Sequence, residues 1–148
     1  MLLAIAALAG CAAPSLPREV KIQINVPDEP YPGTRTKLIT FDLEKDRNIF
    51  LQFYETTSRK GMCSPTEVME RTHAHEVMSM SFWGEAVSPR KSLIILSDSN
   101  GNWKTTGFGG VEVYDDPMGF PEYEYSYRAL DKIHKWYLLN VPETQRKR

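Results

Sequence analysis

By residue type, the side chains best suited to chemistry are His73, His75 and Glu76, with Cys63 upstream. Imidazole and thiolate are zinc ligands, but a site closes only when the spacing turns three or four donors toward one point. Histidines two apart share a face on a strand and not on a helix, where three or four apart is needed. His73-Ala74-His75-Glu76 contains no His-x-x-x-His or Glu-x-x-His step. Favourable charge at the C-terminal end of a short helix explains the same residues. No metal site is expected. Cys63 reads as a small buried hydrophobe or, in an oxidising compartment, as a lone reactive thiol.

Three further patterns have the residues of a site without its spacing. Ser88-Pro89-Arg90-Lys91 sets a serine three residues before a lysine, a pair that activates a nucleophile when both sit one turn apart on a buried helix. Pro89, in a polar connection between strands, works against that helix. Gly107-Phe108-Gly109-Gly110 lacks the Gly-Lys-Ser/Thr that follows in a phosphate loop, so its glycines read as a bulge or bend. Asp98, Asn100 and Asn102 offer oxygens to calcium, yet no acidic residue closes the loop at the required distance. No catalytic set and no cofactor follow from these residues, and the chain reads as a non-enzyme.

Tyr123, Tyr125 and Tyr127 alternate with Glu122, Glu124 and Ser126, and Trp136 follows. Same-face tyrosines present amphipathic area with little entropy to lose, which suits protein or sugar contacts. These four residues are the candidate binding surface. The competing reading is a strand face packed in its own sheet, since aromatics favour strands anyway.

The elements that must position these groups are mostly strands. Val20, Ile22, Ile24 and Val26 alternate with Lys21, Gln23 and Asn25, a half-buried strand. Residues 27 to 33, with three prolines, form a rigid loop. Ile39, Phe41 and Leu43 predict a second strand. After the polar turn Glu44-Lys45-Asp46-Arg47, the residues Ile49, Leu51 and Phe53 predict a third, completing a hairpin. Ser64-Pro65-Thr66-Glu67 is a helix start, with a capping serine, proline at the first position and a glutamate that reaches back. It predicts one short helix from Pro65 to about His75. Met78, Met80 and Phe82 mark a fourth strand, and the run Leu93-Ile94-Ile95-Leu96 marks a central one covered on both faces. Asn100-Gly101 supplies the positive φ of a tight hairpin leading to Trp103. Gly107, Gly109 and Gly110 are expected to break the strand before Val111 and Val113 begin another. Asp115 to Pro121 reads as loop, and Ile133 to Val141 as a final strand, with a helix over Ala129 to Lys135 the alternative.

Short strands between turn signals predict a mainly β domain, a single small sandwich with one short helix. The phrase Leu96-Ser97-Asp98-Ser99-Asn100-Gly101-Asn102-Trp103 resembles the hairpin of transthyretin-like and carboxypeptidase-regulatory-like sandwiches. The match covers about eight residues and implies a fold and no activity.

The N-terminus speaks to location. The apolar run Met1 to Ala7 is too short to cross a bilayer, which takes roughly 20 residues, and suits a secretory signal. Leu8-Ala9-Gly10-Cys11 resembles the lipobox of bacterial lipoproteins. That resemblance implies a diacylglycerol on the Cys11 thiol, cleavage before Cys11 and acylation of the new amine. Several acyl chains anchor stably where one binds only marginally. No Lys or Arg precedes Cys11, so either the start lies upstream of Met1 or the signal is weak. Ala12 implies sorting to the outer membrane, the domain facing the periplasm. That resemblance implies residues 1–10 as the signal peptide and 11–19 as the lipidated cysteine and tether; 20–142 are expected to form the β-rich domain and 143–148 a basic tail. Held extended by its prolines, the tether spans about 25 Å.

Charge narrows the partners. The 148 residues carry 18 Lys+Arg against 19 Asp+Glu, and the stripe of positive charge that marks nucleic-acid binders is missing. Arg146-Lys147-Arg148 reads as a solvated tail. The partners expected are the membrane, through lipid on Cys11, and a protein of the envelope, with no nucleic acid. The leading reading is a non-catalytic protein-binding lipoprotein, an immunity or envelope accessory protein being a special case. A glycan- or peptidoglycan-binding lipoprotein is second, and a small metal-dependent hydrolase third.

Overall fold

A computed structural model describes residues 20–27, 38–84, 87–111 and 119–146. The lipobox at Leu8 to Cys11, the tether to residue 19, the proline-rich loop of residues 28–33, Val113, residues 115–118 and the basic pair Lys147-Arg148 lie outside the described residues. The elements are β1 (Lys21–Pro27), β2 (Leu38–Asp42), α1 (Arg47–Glu55), β3 (Ser58–Cys63), α2 (Pro65–Thr72), β4 (Ala74–Gly84), β5 (Val87–Asp98), β6 (Thr106–Val111), β7 (Phe120–Glu124) and α3 (Tyr127–Asn140).

The domain is mainly β. Its seven strands pair antiparallel in one open sheet, ordered β2-β1-β4-β5-β6-β7-β3. The expected sandwich is replaced by this single sheet, and helices supply the covering layers. On one face α1 and α3 pack over Ile22, Ile24, Met78, Met80, Phe82, Leu93 and Ile95. On the other, Val68 of α2 closes over Leu96 and Phe108. Strand β5, in the middle of the order, is therefore covered on both faces, as its continuous apolar run requires. Each side chain fully buried in such a core contributes about 1.5–3 kcal/mol relative to exposure.

Two expected strands are helices. Residues 47–55 form α1 because Ile49, Phe50, Phe53 and Tyr54 recur at helical spacing. Phe50 and Phe53 are both fully buried, which a strand covered on one face only would not allow. Strand β2 instead pairs with β1, Ile39 opposite Val26 and Phe41 opposite Ile24. The expected last strand is the second half of α3, whose buried residues Ala129, Leu130, Ile133, Trp136 and Tyr137 trace one helical stripe. The indole N–H of Trp136 donates to Asp46 Oδ2 at 2.9 Å, fastening the last helix to the start of the first. Among the described residues three α-helices thus stand where one short helix was expected.

Helix α2 forms where Ser64-Pro65-Thr66-Glu67 places it, with the Ser64 N–H donating to the Glu67 carboxylate at 3.4 Å. It stops at Thr72 because His73 turns left-handed at φ 49°.

The glycines of β6 do not break their strand; Thr106–Val111 is continuous. A Cβ on Gly107 would fall 2.3 Å from the Ile94 carbonyl oxygen and 2.4 Å from the Tyr125 hydroxyl. One on Gly109 would fall 2.0 Å from the Ser92 carbonyl oxygen and 2.8 Å from the Tyr123 ring. Backbone and aromatic rings occupy the space that side chains would need. Gly109→Ala is expected to destabilise the domain by about 1–3 kcal/mol, in the range of overpacking. Gly61→Ala, whose added carbon meets nothing within 4 Å, should stay within about 0.5 kcal/mol. Urea midpoints of the two variants check this, and equal midpoints would refute the account.

Candidate functional site

The site begins at the β5–β6 turn. Gly101, at φ 81°, lets the chain reverse. The Asp98 carboxylate then gathers the turn, its Oδ1 accepting the Asn100 and Asn102 backbone N–H groups at 3.0 and 2.9 Å. Its Oδ2 accepts Asn102 Nδ2 at 3.2 Å and Lys104 Nζ at 2.9 Å. The Lys104 ammonium, followed by those amides, holds the Asp98 pKa well below the carboxylate range. With these donors in place the carboxylate is a turn organiser, its charge met by the Lys104 ammonium.

The turn delivers Trp103, bridged to Ser97, onto α3. There its ring lies 4.6 Å from the imidazole of His134, tilted by 32°, and meets Tyr137 edge-on at 5.3 Å. Leu130 and Asp131 lie three and four residues beyond Tyr127 in α3, and His134 four and three beyond them, so a single helix face looks at the turn. Between turn and helix lies a cleft of about 330 Å³, lined by Gly101, Asn102, Trp103, Tyr127, Leu130, Asp131 and His134. That volume is at the lower end of ligand pockets.

The lining combines two aromatic rings with a few polar groups. Burial lowers the His134 pKa, opposed by Asp131, so the imidazole is neutral at neutral pH, with one donor and one acceptor. Asp131 is bonded to Lys135 Nζ at 2.7 Å. None of the seven lining residues is a serine, threonine or cysteine, so the cleft gives His134 no aliphatic hydroxyl or thiol to activate.

The four aromatic residues expected to form one surface are separated by the fold. Tyr123 and Tyr125 are only 9% and 2% exposed, and Trp136 only 5%. Tyr123 and Tyr125 lie over the β6 glycines, and the Tyr125 hydroxyl donates to the Ile94 carbonyl at 2.7 Å. Burial raises the pKa of both phenols. Tyr127, at 78% exposure, starts α3 and reaches the cleft. The tyrosine face is therefore core at two positions and rim at the third. Trp103 and His134 went unnoticed as site residues in the sequence, because what joins them is the docking of a turn onto a helix.

The remaining candidates stay apart. His73 is exposed in its left-handed link and His75 lies in β4. Among the described residues no three His, Cys, Asp or Glu groups are placed to share a metal ion. Cys63 is a half-buried free thiol beside Val68 and Leu96; burial, then Glu122, raises its pKa, which lowers its reactivity. Ser88 to Lys91 lie in β5, so no helix sets that serine and lysine one turn apart. Among the described residues no helix is long and apolar enough to cross a membrane. The chain matches no family model, no curated protein and no solved structure.

The His134 shift carries a pH dependence. The unfolded chain takes up this proton at about pH 6.5, the folded chain only lower. The stability gained by keeping His134 neutral is therefore whole above about pH 6.5 and is lost as pH falls toward the folded value. The unfolding midpoint should drop less between about pH 7 and pH 5.5 in His134→Gln than in the native chain. Parallel profiles would overturn the assignment.

Proposed function

We propose that this chain is an outer-membrane lipoprotein facing the periplasm and acting as a non-catalytic protein-binding module. An immunity or envelope accessory protein is the special case that fits such a module. The address rests on Leu8-Ala9-Gly10-Cys11, and the binding role on one observation, the cleft between the Asp98–Trp103 turn and α3. An exposed tyrosine beside a concavity floored by Trp103 and Leu130 is the form of an anchor pocket, which takes an apolar or aromatic side chain from a partner. A glycan is the second reading, favoured by the polar atoms of Asn102, Asp131 and neutral His134 beside the Tyr127 ring.

Two measurements test this. Radiolabelled palmitate should enter the native chain and not Cys11→Ser; equal labelling of both would remove the anchor. The Cys11→Ser full chain, as bait for envelope proteins and for peptidoglycan fragments, should retain a protein through a salt wash. Tyr127→Ala should weaken that retention by about tenfold or more, the scale of a hot-spot aromatic, with an unchanged melting curve. Retention of glycan fragments alone would replace the first reading by the second, and retention indifferent to Tyr127 would remove the cleft from the account.

A further inference from the structure

A second cluster stands on the helix-covered face, away from the cleft. Lys91 extends from β5 on the same side as Leu93 and Ile95, as the alternation of a strand dictates. Its Nζ reaches Tyr54, at the C-terminal end of α1, 5.5 Å from the ring centroid. Tyr123 of β7 lies over Gly109, which is opposite Leu93. Arg59 of β3 is the cross-strand partner of Tyr123 and shares its face. Four elements thus bring two cations and two phenol hydroxyls to one place.

The cations here differ from four others on the surface. Lys60 is paired with Glu124, Arg71 with Glu122, Lys104 with Asp98 and Lys135 with Asp131. Lys91 and Arg59 have no carboxylate partner among the described residues. Arg59 donates instead to the thioether of Met62 at 2.9 Å, a weak acceptor. Lys91 is hydrogen-bonded to Tyr54, and among the described residues the charged groups that act on Lys91 and Tyr123 are Arg59 and, for Tyr123, Lys91 itself. The negative end of α1 beside them is blunted. Thr56 and Thr57 give backbone N–H and hydroxyl donors to the carbonyls of Gln52, Phe53 and Tyr54.

We propose that Arg59, Lys91, Tyr54 and Tyr123 form an oxyanion site that takes a phosphate group. Guanidinium and ammonium neutralise its charge, and the phenol hydroxyls fill its remaining oxygens as donors. A bound phosphate also relieves the repulsion between two cations held on one face. The same chemistry is offered by a lipid headgroup and by a soluble phosphorylated ligand.

The test uses the full chain carrying Cys11→Ser, with inorganic phosphate as the probe and chloride as the control. Amide and tyrosine ring resonances of residues 54, 59, 91 and 123 should shift saturably with phosphate. Lys91→Met and the exposed-site variant Arg59→Gln should each weaken binding by about tenfold or more, as expected for a lost charge-assisted bond. Lys135→Met, which removes a paired cation, should leave it unchanged. Sedimentation with phosphatidylglycerol vesicles, lost in Lys91→Met, would identify the phosphate as a headgroup; phosphate binding without vesicle binding would identify a soluble ligand. Absence of saturable phosphate binding, or binding indifferent to both Lys91→Met and Arg59→Gln, overturns the proposal.

Discussion

The rings of Tyr123 and Tyr125 lie on the backbone of β6, and the space they fill exists because Gly107 and Gly109 carry no side chains there. This contact constrains both neighbouring layers. The Tyr125 ring fills the space at Gly107 and its hydroxyl bonds the carbonyl of Ile94, tying the segment after β7 across β6 to the central strand. Phe53 of α1 packs on the same ring at 4.9 Å, so the first helix is seated on the tyrosine that precedes the third. A side chain at either glycine would lift the rings and loosen α1 with them.

Around this contact the connections explain themselves. Strands β2 and β3 lie at opposite edges of the sheet, so α1, which joins them, must cross one face and bury its Phe50–Phe53 side as it goes. Strand β3 then returns through α2 to β4 near the middle, crossing the other face, where Val68 closes over Leu96 and Phe108. Edge strand β3 is exposed along most of its length. It carries Lys60 and a register shift between Arg59 and Gly61, features that discourage pairing with another chain.

Much of this was legible where one physical signal stood alone. The alternation in β1, the apolar run of β5 and the helix start at Ser64 each admit one local structure. Helices α1 and α3 were not legible because their apolar residues satisfy two periods at once. Ile49, Leu51 and Phe53 alternate, yet Phe50 and Tyr54 complete a helical stripe. Ile133, Trp136 and Tyr137 combine strand-favouring types with helical spacing, and burial decided between them. The cleft was less legible still. Tyr127, Leu130 and His134 acquire a common face only once α3 exists, and Trp103 joins them only through the turn that Asp98 holds.

The cleft and the cationic cluster share the helix-covered face but stand near opposite ends of β5. From Lys91 to Asp98 the strand advances at roughly 3.3 Å per residue, about 23 Å in all. Their charges are screened from one another over that distance, since it is about twice the Debye length at ordinary ionic strength. Mechanically they are joined, through Phe53 on Tyr125 and through the Asp46–Trp136 bond between α1 and α3. What could pass between the two proposed sites is therefore carried by packing rather than by charge.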